Sequence, residues 1–225
     1  MPDSSDRKDD GDPLKPDVDW IELLVGVDDD GPPWIRLSPE RVAVIGLDDC
    51  STQLERAVEQ IDCLALAAKS IHMALQAALT AALAGTANIG AHPTKLRIAH
   101  LAYLEGRGSG PPRPTSDKVM SFTDLLAAAT SQPLPWTGEP LALSDEADEL
   151  LARLTKVRHA VEHPKQILHS IEPGYVAEAL PVAADLVCTL LDSVFHHLGP
   201  GESARISAVA GSIRRQCGPF LPDPD

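Results

Sequence analysis

The densest concentration of chemically capable side chains in this sequence is Arg153-Leu-Thr-Lys-Val-Arg158-His159-Ala-Val-Glu162-His163-Pro164-Lys165. Three kinds of chemistry fit it. Cations near a helix C-terminus complement the dipole, so Lys156, Arg158, His159 and His163 have a purely structural reading. His159 and His163 stand four apart and with Glu162 spell His-x-x-Glu-His, the inverted zinc-protease signature. That site would also need a further protein ligand, a water and an extended substrate-binding scaffold, and no convincing sheet is predicted to supply one. Neither a metal nor another cofactor is therefore expected. The third reading is phosphate chemistry. An arginine offers an always-charged fork to phosphate oxygens, and a histidine exchanges protons near neutral pH. Cleaving RNA through its 2′-hydroxyl needs those two services and no metal.

Spacing sets a geometric condition. Five residues along a straight α-helix turn about 140°, which would point Arg158 and His163 apart. Pro164 disfavours helical geometry at the residue before it. The helix is thus expected to end near Glu162, leaving His163 free to swing out of line. Otherwise Arg158 of one subunit must serve His163 of another.

The elements that would carry this segment read as helices. Hydrophobic residues make up 44% of the 225 residues and aromatics 4%, so Ala and Leu must fill the core, which suits helices better than a sandwich. Ser38-Pro39-Glu40 begins a short helix through Val44, which Gly46 stops. A long helix is predicted from about 52 to 84, opened by Thr52 and Glu55 at capping-box spacing and closed by Gly85. Shorter helices follow, after Pro93 and over 121–130. A helix over 145–162 starts at Ser144, with Asp145, Glu146 and Asp148 at its positive end. Another spans 174–198, with Pro181 kinking it or resetting its start, and an amphipathic helix covers 201–216. The expected class is all-α: a helical bundle with a short irregular or β-hairpin N-terminal extension. Its divisions are a disordered acidic arm (1–16), the extension (17–49), the bundle (50–199), and a C-terminal helix and tail (200–225).

Charge narrows the choice of function. The formal net charge is −14, and residues 1–60 hold 16 Asp and Glu against 6 Lys and Arg. Such a chain has no broad positive field for nucleic acid; a local basic pocket, a basic partner or a second subunit would have to provide one. Cys50, Cys63, Cys188 and Cys217 include no Cys-x-x-Cys pair. Met1–Gly11 lacks the basic and apolar regions of a signal peptide. The apolar run Cys63–Ala84 contains Lys69, His72 and Gln76, against a membrane span. A cytoplasmic, reducing location without membrane contact is expected.

Arg158, four residues, then His163, with His159 directly after the arginine, resembles the Arg-x(4–6)-His motif of the HEPN family (higher eukaryotes and prokaryotes nucleotide-binding domain). The order of elements over about residues 50–199 is similar too: a long helix, shorter ones, the motif, then another long apolar helix. The resemblance implies a helical bundle that dimerises with two motifs in a shared cleft. It implies metal-independent endoribonuclease activity, in a toxin or antiviral effector checked by an antitoxin or regulatory partner. Carried over, Arg158 stabilises phosphate charge, His163 moves a proton, and His159 orients the pair or the substrate RNA, with Lys156 and Lys165 beside them. Some relatives are non-catalytic modules for dimerisation or interaction. The two readings differ in what they expect: an open cleft lined by Arg158 and His163, or an Arg158 tied to a local glutamate with no concavity.

Overall fold

The computed structural model describes residues 37–106, 110–163, 170–194 and 200–222. Within them the regular structure is helical and no strand occurs, so the architecture is an all-α bundle. The elements are α1 (Pro39–Ala57), α2 (Cys63–Ala84), α3 (Thr94–Glu105), α4 (Phe122–Ser131), α5 (Asp145–Glu162), α6 (Pro173–Ala177), α7 (Ala179–Ser193) and α8 (Pro200–Cys217), followed by a 3₁₀ turn, Gly218–Phe220.

Helix α1 opens as its residue types dictate. The Ser38 side chain accepts from the Arg41 backbone N–H at 3.2 Å, and Pro39 takes the first helical position, where a missing N–H costs nothing. Gly46 does not stop it; the helix runs on to Ala57. The glycine serves packing instead. A Cβ there would lie 2.8 Å from the Ser70 carbonyl oxygen and 2.9 Å from the Ala74 Cβ of α2. The absent side chain thus lets two helix backbones approach closely, and the Ser70 hydroxyl donates to the Asp49 carboxylate across the same contact.

The helix expected over 52–84 is two helices. Thr52 and Glu55 lie inside α1, and the Thr52 hydroxyl donates to the Asp48 carbonyl at 3.0 Å rather than capping anything. The chain reverses over Val58–Asp62, where Glu59 and Gln60 both donate their backbone N–H to the Arg56 carbonyl, at 3.2 and 2.9 Å. No glycine or proline marks this turn, and Val58 and Ile61 stand exposed in it. Periodicity alone therefore runs through it.

Helix α2 is the centre of the bundle and packs on α1, α4, α5 and α7. Ala67, Ala68, Ala74, Ala78 and Ala82 are fully buried, and their small side chains admit neighbours on several sides. Gly85, at φ +64°, ends the helix in a conformation that other residues adopt only with strain. By length and composition α2 and the run Pro173–Ser193 are each apolar enough to cross a membrane, yet more than half of each apolar window is buried inside the bundle, as befits core helices.

The long C-terminal helix expected over 174–198 breaks at Glu178 into α6 and α7, with Pro181 in the first turn of α7, where proline is tolerated. Helix α8 buries Ile206, Ala210, Ile213 and Cys217 and packs against α1 and α7. Ion pairs Arg205–Asp48 and Arg214–Asp185 flank that seam. One compact unit runs from Leu37 onward, and α1 and α8 pack within it. The acidic arm (1–16) and the expected N-terminal extension as far as Arg36 fall outside the described residues.

Substituting Gly46→Ala places a methyl group inside the α1–α2 contact and is expected to cost about 1–3 kcal/mol. The measurement is urea unfolding, with a lowered midpoint and an unchanged m-value.

Candidate functional site

Helix α5 holds the candidate residues and is fixed at both ends. At its start the Ser144 side chain accepts from the Ala147 N–H at 3.1 Å, and Asp145, Glu146 and Asp148 occupy the positive end of the dipole. Leu150, Leu151, Leu154 and Val157 face the core, with Leu151 and Leu154 each 1% exposed. Burying a leucine in this way stabilises by roughly 1.5–3 kcal/mol, so the stripe sets the rotation of the whole helix. Arg158 follows at the rim of that stripe, half-buried, while Lys156, His159 and His163 are exposed.

The helix stops where the proline requires. Glu162 is its last residue, and His163 leaves the helical region at φ −127°, ψ 67°, still donating its N–H to the His159 carbonyl at 2.9 Å. The imidazoles of His159 and His163 then meet with ring centroids 4.8 Å apart, tilted by 59°. Arg158, His159, His163 and Lys156 line a single pocket of about 600 Å³, together with Ile171 and Tyr175. Within one chain, the bend at His163 thus brings the arginine and histidine to a common concavity. Lys165 lies outside the described residues.

Arg158 is not unpartnered. Its Nη2 meets the Glu162 Oε2 at 2.6 Å, one helical turn on. The pair retains considerable exposure, 34% and 26% for the two side chains, and such pairs contribute at most about 1 kcal/mol. The guanidinium also carries five N–H donors, more than one carboxylate can occupy. The arrangement therefore combines the features that separate the two readings: a concavity and a tethered arginine.

Glu162 pairs with Arg158 and lines not the histidine pocket but a second one, with His72 and Lys69. No group of three or more His, Cys, Asp or Glu among the described residues is placed to hold a metal ion. Two thiols are poor nucleophiles: burial pushes Cys217 up to about 12, and burial, then Asp185 and Asp192, raises Cys188 to about 11. Arg97, His92, His100 and Arg113 line neither pocket. His92 and His100 instead stack on each other with centroids 5.1 Å apart, and His92 Nδ1 pairs with the Lys118 carbonyl at 2.8 Å.

Two participants escape a reading by motif. Tyr175 forms one wall of the motif pocket, held by the Arg153 guanidinium 5.0 Å over its ring; Arg153 is itself bound to Glu178 at 2.9 Å. Its scarcity was the available signal, as one of two tyrosines in a chain poor in aromatics, just beyond the motif. His72 sits behind Arg158, 2% exposed, packed on Phe122 at 4.3 Å between ring centroids, and its Nε2 has no hydrogen-bond partner. Burial first, then the Arg158 charge, lowers its pKa to about 4, with Glu162 partly opposing. Against known proteins, no family model, no curated protein and no solved structure matches this chain.

The His72 shift carries a pH dependence of determinable sign. The unfolded chain protonates this histidine near 6.5 and the folded chain only near 4, so between those values the unfolded state binds more protons. Stability from this group is complete above pH 6.5 and falls by about 3 kcal/mol as the pH drops to 4. A His72→Leu variant, compared with wild type by urea unfolding across pH 4–7, is expected to show a flatter profile by that amount.

Proposed function

We propose that this chain is a HEPN-like protein that cleaves RNA without a metal, acting through Arg158 and His163. The observation that carries the reading is the bend after Glu162, which brings Arg158, His159 and His163 to one pocket. In this mechanism the 2′-hydroxyl of a bound ribose attacks the adjacent phosphorus while the bond to the 5′-oxygen breaks. His163 takes the proton from the 2′-hydroxyl and delivers it to the departing 5′-oxygen, and Arg158 stabilises the charge gathering on the non-bridging oxygens. His159 orients the imidazole or the substrate. Lys156 and Lys165 attract the flanking backbone, a local positive contribution that an acidic chain needs. Tyr175 offers a face for a base beside the scissile phosphate. The products are a 2′,3′-cyclic phosphate and a 5′-hydroxyl. Two copies sharing a cleft would double the cations around one phosphate, so a homodimer belongs to this reading. So does a toxin or antiviral role in the cytoplasm, with activity held in check by a protein partner.

A second reading has its own support. The Arg158–Glu162 ion pair occupies the guanidinium within its own helix, as a non-catalytic dimerisation or interaction module would have it.

An RNA cleavage assay in EDTA separates them. Wild type is expected to cleave, and Arg158→Ala and His163→Ala to lose at least about 100-fold in rate. Equal rates in all three would remove the proposed roles, and activity lost only on adding EDTA would restore a metal mechanism. Light scattering should give twice the chain mass under either reading.

A further inference from the structure

Arg158 has a second face. Behind it lies a separate open pocket of about 410 Å³ between the start of α1, the middle of α2 and the end of α5. Its walls are largely apolar: Val42, Met73, Ala77 and Val119. Three formal charges line it, Lys69 and Arg158 positive and Glu162 negative, leaving one positive charge in excess. Glu162 engages Arg158, whereas Lys69 pairs with no carboxylate among the described residues. His72 completes the lining, and this almost fully buried ring has an Nε2 without a hydrogen-bond partner. Sites that bind small molecules combine an apolar wall with a few convergent polar groups, and here the reachable ones are Lys69 and Arg158.

We propose that this pocket binds a small amphipathic monoanion, a carboxylate on an apolar body of roughly eight carbons, in the size range of small-molecule sites. The carboxylate sits between Lys69 and the free N–H groups of Arg158, and the apolar body lies against Val42, Met73 and Ala77. The charge excess selects the class. A single negative charge balances the pocket, and a cation meets net repulsion. The inference does not rest on RNA cleavage, because Ala77, Met73 and Lys69 lie outside the motif pocket.

Isothermal titration of the full chain with octanoate, and with octylammonium as the charge-reversed probe, tests it. Octanoate is expected to bind one per chain, and octylammonium at least about tenfold more weakly. Lys69→Gln, at an exposed position, should weaken octanoate about tenfold, the loss of one charge-assisted contact. Ala77→Trp should abolish binding by filling the pocket, with cooperative unfolding retained. The proposal fails if octylammonium binds as well as octanoate, if Lys69→Gln leaves the affinity unchanged, or if wild type takes up no octanoate at about 5 mM.

Discussion

The residue before a proline resists the helical basin, and in this chain that residue is His163. On a helix continued by one more residue, its imidazole would point well away from Arg158. Because α5 stops at Glu162, the backbone at His163 turns outward, and its ring settles against that of His159 beside the arginine. The pocket depends on this local constraint, and the constraint works only because α5 is itself immobilised. Its capped start and the buried stripe from Leu150 to Val157 hold the helix against α2 and α7, so the bend occurs at a fixed place on the surface.

Arg158 lines two concavities. On one side stand the exposed His159, His163 and Lys156 with the half-buried Tyr175. On the other stand Lys69, the buried His72 and an apolar wall. Glu162 reaches Arg158 from the second side, leaving the histidine side without a carboxylate in its lining. That division lets an acidic chain keep a locally cationic pocket. It also gives the neutral His72 its place: an imidazolium there would be desolvated and would face Arg158, so the ring stays uncharged near neutrality.

Much of this was legible in the sequence, for reasons that differ by element. Ser144 with its acidic first turn marks the start of α5, and Pro164 marks its end, because both signals act locally on the backbone. The all-helical class follows from an Ala/Leu core. The turn at Val58–Asp62 carries no breaker residue, so the apolar rhythm of α1 and α2 reads as one helix. Gly46 looks like a stop signal when viewed alone; its role emerges only when Ser70 and Ala74 of α2 are laid against it. The motif residues could be named from their spacing, whereas Tyr175, His72 and Lys69 enter through tertiary packing that no local pattern encodes. The Arg158–Glu162 pair sits at ordinary helical i,i+4 spacing, which is why an arginine tied to a local glutamate could be expected from the sequence.

The central claim is that Arg158, His159 and His163 act on one phosphate. NMR titration with an uncleavable 2′-deoxy dinucleotide addresses it directly, following the Arg158 side-chain Nε–H and the imidazoles of His159 and His163. All three are expected to shift along one saturation curve, with the His92 and His100 rings unmoved. Shifts that saturate at different concentrations, or confined to one side chain, would contradict a shared site.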